Sequence, residues 1–257
     1  LKKIVFTSGL PRSGSTLLSA ILNQNPRFHT DMTVPTCQFF DSIIDIVNFP
    51  GSNKQFFEGK IENIFRSILE SCHEGEGVHF DHNRLWTGRT NLLKNIYPDF
   101  KIIVTVRDIC WILDSFERIS IKNLSNKSTF CNSQYSSNIY TRCDEYMNLV
   151  WQPYICLKEL IHKNISNAII IEYDLLVSDP ETVMKSIYEH IQEPYFQHDF
   201  NKIENLKNHS SFDERINSHG LHHVREKVSF EKRNNIIPQE ILNNHSGMEI
   251  WKNIKSL

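Results

Sequence analysis

The stretch Ile4-Val5-Phe6-Thr7-Ser8-Gly9-Leu10-Pro11-Arg12-Ser13-Gly14-Ser15-Thr16-Leu17-Leu18-Ser19-Ala20-Ile21-Leu22 decides the fold. Its apolar opening reads as a strand, residues 9–16 as a tight polar loop, and the apolar run beyond as a helix. A loop that passes from a strand into a helix N-terminus aims backbone N–H groups and the positive end of the helix dipole at an anion. In the nucleotide-triphosphate form of this loop, Gly-x-x-x-x-Gly-Lys-Ser/Thr, the Lys reaches the β and γ groups. Here Ser15 holds the Lys position and the cation is Arg12, three residues earlier. Such a loop grips a terminal phosphate but lacks the residue that phosphoryl-transfer enzymes of that class set against the transferring group, which argues against ATP or GTP.

Outward from this loop, apolar β-branched runs at residues 3–7, 78–80, 101–106 and 168–172 are candidate parallel strands. Continuous rather than alternating runs mark strands covered on both faces, so the expected class is α/β, a parallel β-sheet flanked by helices on both faces. Helical patterns occupy residues 15–23, 54–72, 90–96, 109–119, 142–162 and 180–191, the last with Pro180 in its first turn behind Asp179 as a cap. Residues 123–140 and 201–235 are polar and aperiodic and read as long loops of the kind used for lids and binding.

At 257 residues the chain suits one domain over 1–257, with a less regular C-terminal segment from about 201. A formal charge of −2 argues against nucleic acid or a membrane surface as partner, and no run approaches the roughly 20 apolar residues of a membrane span. The cysteines, Cys37, Cys72, Cys110, Cys131, Cys143 and Cys156, show no metal-ligand spacing and suit reduced thiols in the cytoplasm. Cys131 and Cys143 flank a polar insertion, and a bridge between them in an oxidising compartment stays open. The chain begins at Leu1 and not at Met, so removal of an upstream segment also stays open.

Residues 8–22, with Pro-Arg-Ser-Gly-Ser-Thr-Leu at their centre, resemble the 5′-phosphosulfate loop of sulfotransferases that use 3′-phosphoadenosine 5′-phosphosulfate (PAPS), nearer the bacterial and tyrosylprotein branches than the cytosolic one. The resemblance implies a P-loop-like sulfotransferase fold, PAPS as donor and 3′-phosphoadenosine 5′-phosphate (PAP) as product. It makes Pro11, Arg12, Ser13, Gly14, Ser15 and Thr16 the donor loop, with Arg12 stabilising the leaving group. Arg107 at the end of a strand and Ser115 eight residues on resemble the 3′-phosphate site. Tyr173, in Ile-Glu-Tyr-Asp-Leu-Leu, corresponds to an adenine contact through stacking or its edge. Arg225 and Lys227 lie where cytosolic members close the donor site, without matching their motif.

Sulfuryl transfer needs cations at the leaving oxygen and a base for the acceptor proton. It requires no metal, and the histidines show no ligand pattern. The base has three candidates: Asp81 first for its place at a strand end, His82 second, and third Asp31 near the position of the tyrosylprotein Glu. The competing reading of Asp81 is an ion pair that orients Arg84. A hydroxyl or amine acceptor of small-molecule, carbohydrate or peptide type is expected, and Phe39, Phe40, Phe56, Phe57 and Trp86 are candidate lining residues. The other classes are an ATP-dependent small-molecule kinase with Asp108 or Asp174 organising Mg²⁺, and a PAP-binding protein without catalysis.

Overall fold

A computed structural model describes residues 2–123 and 138–253. Five strands, β1 (Lys2–Gly9), β2 (Phe28–Thr30), β3 (Gly77–His82), β4 (Ile102–Val106) and β5 (Ala168–Glu172), form one parallel sheet in the order β2-β3-β1-β4-β5. Strand order reverses at β1, whose neighbours are β3 and β4. In an open α/β sheet the carboxyl edge at such a reversal is where ligands bind. The ends of β1, β3 and β4 therefore decide the location of the site.

Between β1 and β3 the chain forms α1 (Ser15–Leu22), α2 (Thr36–Asn48), α3 (Lys54–Phe57) and α4 (Ile61–Cys72). A 3-10 turn (Trp86–Arg89) and α5 (Thr90–Ile96) lead into β4, and α6 (Ile109–Lys122) and α7 (Ile139–His162) into β5. Beyond β5 come α8 (Tyr173–Ser178), α9 (Pro180–His190), α10 (His209–Arg215) and α11 (Gln239–His245). Alternate strand residues enter opposite cores: Phe6 and Val104 pack with Phe40, Trp86, Phe116 and Tyr146, while Val5 and Ile103 pack with Leu18, Ile21, Met184 and Ile187. Both faces are thus covered, and this is why the strands read as continuous apolar runs.

α6 and α7 are locked by a buried ion pair, with Arg142 Nε donating to Glu117 Oε2 at 2.9 Å and Nη2 to Oε1 at 2.6 Å. The planar fork matches the carboxylate, and the Tyr146 hydroxyl donates to the same carboxylate at 3.0 Å.

The long helix expected over 54–72 is two. Gly59, at φ +68, breaks it, and the Asn53 side chain caps the short first piece by accepting from Phe56 N–H. β2 and α2 carry no strand or helix expectation: β2 spans three residues at the sheet edge, and α2 buries only Thr36, Cys37 and Phe40. Residues 201–235 are not wholly irregular, because α10 forms there, with Phe212 packed against the second core. Most of the 123–140 segment, including Cys131 and with it the question of a bridge to Cys143, falls outside the described residues. No described helix is long and apolar enough to cross a membrane.

Candidate active site

The loop after β1 is held from both sides. Leu10 N–H donates to Thr105 O at 2.9 Å, and the buried Ser13 hydroxyl meets Thr105 Oγ1 at 2.7 Å and Thr105 O at 3.0 Å. Gly9 permits this closeness, since a Cβ there would stand 2.1 Å from Thr105 O. Gly14 takes φ +93 as the N-cap of α1, and a Cβ on it would meet Tyr173 Cδ2 at 2.7 Å. Arg12 itself sits at φ +58, a left-handed conformation uncommon for a residue with a side chain. The turn directs its guanidinium across the sheet edge: Nε donates to Ser115 Oγ at 3.1 Å, and Nη1 donates to Leu221 O.

The second cation arrives from β4. Arg107 Nη1 donates to Arg12 O at 3.3 Å, and its guanidinium carbon lies 4.0 Å from the ring centroid of Tyr173. Arg107 Nε is buried without a hydrogen-bond partner among the described residues. A buried, unanswered N–H on a cation is costly unless an anion meets it, and the same guanidinium touches the loop after β1 at Arg12 O. This donor set fits a nucleotide that carries anions at two ends.

Arg12, Ser15, Thr16, Arg107, Ser115 and Tyr173 line one cavity of about 960 Å³. Arg84, from the turn after β3, joins them, as do Arg225 and Lys227 from the C-terminal segment. Burial, then the charges of Arg107 and Arg84, lowers the Arg12 guanidinium to about 10, so it remains protonated at neutral pH. Burial likewise lowers Arg107. Several cations converging in a concave, partly desolvated space make a focused positive field.

Of the three base candidates, His82 faces this cavity. It stands opposite Thr7 in the sheet register, and Thr7 Oγ1 lies 2.9 Å from its Nδ1. Burial, then the Arg84 charge, pushes its pKa down to about 4, so the ring is neutral at pH 7. Asp81, one residue earlier, points to the opposite face, as strand alternation requires. It is fully buried and accepts from the Thr36 hydroxyl at 2.6 Å and Trp86 Nε1 at 2.8 Å, with His73 Nε2 at 2.9 Å. The expectation that placed Asp81 first at the site is corrected: its carboxylate ties α2 and α4 to the sheet. Its ion pair with Arg84 does not form. Asp31 is exposed, and its carboxylate accepts from Met32 N–H at 2.7 Å without lining the cavity.

Other expectations shift similarly. Pro11 is buried outside the cavity lining, and the Ser13 hydroxyl is spent inside the loop, leaving those of Ser15 and Thr16 to face a ligand. Phe40 and Trp86 belong to the core, Phe39 and Phe56 are exposed, and none of these or Phe57 lines the cavity; its aromatic walls come from Trp111, Phe116, Phe212 and Phe230. Asp108 caps α6, accepting from Trp111 N–H at 3.1 Å, while Asp174 lies at the cavity wall. Among the described residues no group of three His, Cys, Asp or Glu side chains is placed to hold a metal ion. Sequence reasoning missed His222, which lines the same cavity, and the buried Asp213 paired with it. Two polar residues nine apart in an irregular segment carry no periodic signal.

A parallel sheet reversing at β1, with a strand-to-helix loop at that reversal and cations from the ends of β3 and β4 around it, defines an α/β protein of P-loop-like fold. Residues 5–197 match the sulfotransferase family, and the chain belongs to that family. Its fold is shared with solved bacterial structures: a sulfotransferase from Mycobacterium avium (14% identity, all of this chain and 78% of that one, TM-score 0.51) and one from Alicyclobacillus acidocaldarius (15%, 84% and 91%, 0.50). A sulfotransferase domain from the curacin biosynthetic pathway also aligns, at 18% identity over 76% of each chain with a TM-score of 0.50. At these identities the likeness is one of fold. No curated protein sequence matches the chain significantly.

Proposed function

We propose that this sulfotransferase-family protein moves a sulfuryl group from PAPS to a hydroxyl or amine acceptor and releases PAP. The observation that carries this reading is the meeting of two anion-binding elements from distant parts of the chain. The loop cation Arg12 donates to Ser115 at 3.1 Å, and Arg107 donates to the Arg12 carbonyl at 3.3 Å. A donor with a phosphosulfate at one end and a 3′ phosphate at the other uses both elements, whereas ATP uses one.

PAPS supplies an activated sulfuryl group on a phosphate leaving group. Ser15, Thr16 and the first turn of α1 hold the 5′ end. Arg107 and Ser115 hold the 3′ phosphate, the former with the Nε that has no partner among the described residues. Tyr173 bounds the adenine pocket, and Arg225 and Lys227 cover the donor from the C-terminal side. Arg12 and Arg84 oppose the negative charge that grows on the leaving oxygen, the electrostatic contribution that dominates such transfers. His82, neutral and fixed through Thr7, meets the acceptor oxygen. The acceptor is a small molecule, carbohydrate or peptide that reaches this cavity between Trp111, Phe230 and the polar face of α7.

Calorimetric titration of PAP and of ATP, each with and without Mg²⁺, against wild type and Arg107→Ala tests the assignment. Metal-independent PAP binding that weakens about tenfold or more in the variant is expected, since a charge-assisted phosphate contact is worth about 1.5–3 kcal/mol. Preference for Mg·ATP, indifferent to Arg107→Ala, would overturn it in favour of a kinase.

A further inference from the structure

Asp213 on α10 and His222 on the segment after it form a second acid–base pair that no part of the donor site requires. The Asp213 carboxylate is 2% exposed and engages His222 twice, Oδ1 at 2.6 Å from the ring Nδ1 and Oδ2 accepting the His222 backbone N–H at 2.9 Å. The imidazole lines the same cavity as Arg12, Arg84 and His82. Its other nitrogen, Nε2, has no hydrogen-bond partner among the described residues. The neighbouring residue, Leu221, accepts a hydrogen bond from Arg12 Nη1, so the segment that carries this imidazole is tied to the phosphate-loop cation. A carboxylate on Nδ1 fixes the tautomer with Nε2 bare, which is the arrangement of a general base oriented by a buried acid.

We propose that His222, positioned by Asp213, is the general base that accepts the acceptor's proton. The inference rests on the sulfuryl-transfer reading above. As the acceptor oxygen forms its bond to sulfur, its proton passes to His222 Nε2. The bond from sulfur to the phosphate oxygen breaks, and its electron pair stays on that oxygen, facing Arg12. The imidazolium that results is countered by Asp213.

The two histidines on the cavity divide the work. His82 has no carboxylate on its ring and is pushed to about 4, so it holds a proton poorly. His222 is lowered by burial, but the hydrogen bond and charge of Asp213 oppose that fall, with Arg12 and Arg84 acting the other way. The groups that face His222 are thus Asp213 on α10, Arg12 on the phosphate loop, and Arg84 and His82 at the end of β3, with the Phe212 ring 5.2 Å away.

The test combines PAP calorimetry, PAPS consumption with 2-naphthol or water as acceptor, and ¹⁵N NMR of the histidine rings in the full chain, for wild type, His222→Gln and Asp213→Asn. A rate at least about tenfold lower in His222→Gln, with PAP affinity within about twofold of wild type, is the expected result for a lost general base. In Asp213→Asn the maximal rate falls and the acid limb of the pH–rate profile moves to lower pH, because removing the carboxylate removes the interaction that raises the imidazole; a purely structural clamp would leave that limb in place. NMR is expected to show the Nδ1–H tautomer of His222, independently of turnover. An Nε2–H tautomer, or an unchanged rate in His222→Gln with PAP still bound, overturns the assignment of the base alone. Failure of the wild type to bind PAP overturns the donor reading, and the assignment of the base with it.

Discussion

Arg107 lies over the ring of Tyr173 with its guanidinium carbon 4.0 Å from the ring centroid, so the residue read as an adenine contact also carries the cation read as a 3′-phosphate ligand. One face of the ring is occupied, and adenine is left the other face, the edge and the hydroxyl. Tyr173→Phe keeps the cation–π contact and is expected to bind PAP within about twofold of wild type. Tyr173→Ala releases Arg107, and with such contacts worth about 0.5–2 kcal/mol, PAP affinity falls about two- to thirtyfold by calorimetry. Equal losses in the two variants would show that the hydroxyl and not the ring carries the contact.

Gly14→Ala tests the close approach on the other side of the loop. The added Cβ would stand 2.7 Å from Tyr173 Cδ2, and the backbone is at φ +93. The expected cost is about 1–3 kcal/mol of stability, seen as a lower Tm, together with weakened PAP binding because Tyr173 and Arg107 are displaced together. An unchanged Tm would mean that the loop relaxes freely.

Asp81→Ala separates a structural from a chemical role. The substitution strands the Thr36 hydroxyl, the Trp86 indole N–H and the His73 ring in the interior. A loss of about 3–5 kcal/mol in denaturant unfolding is expected, with Asp81→Asn milder because its carbonyl oxygen still accepts. Wild-type stability combined with abolished turnover would return Asp81 to the chemistry.

Stability is expected to fall in mild acid. Burial holds His82, His190 and His198 at about 4, against an ordinary value of 6.5. Between those two pH values the unfolded chain binds protons that the folded chain does not. Folding free energy is therefore fully present above pH 6.5 and declines as pH falls toward 4, by up to about 1.4 kcal/mol per unit for each such histidine. Urea midpoints measured from pH 7.5 to 4.5 should fall steadily below 6.5, and less steeply in His198→Gln. A flat profile down to pH 5 would show that these rings are solvated.

Much of the scaffold was legible because its signals are local. β5 and α5 fall where their apolar runs place them, and the strand-to-helix turn after β1 is legible in Gly9 and Gly14, since the close approaches there exclude a side chain. Arg107 and Ser115, singled out together in the sequence, both line the cavity, and the structure joins each of them to Arg12. α2 was not legible, since it is held by contacts with α3 and α4 and by the Thr36 hydrogen bond to Asp81 on β3, and buries only Thr36, Cys37 and Phe40.

The sequence by itself determined a parallel, doubly covered sheet with an anion loop lacking the triphosphate Lys, because strand burial and tight turns are written in consecutive residues. Only the tertiary structure decided which side chains share the cavity. Asp81 and His82 are adjacent in the chain and lie on opposite faces of one strand; the pleat sends the carboxylate to three partners in the core and the imidazole to the cavity. Asp213 and His222 become a pair because α10 and the segment after it fold back over Arg12. That closure depends on contacts between residues roughly two hundred positions apart, for which no local pattern exists.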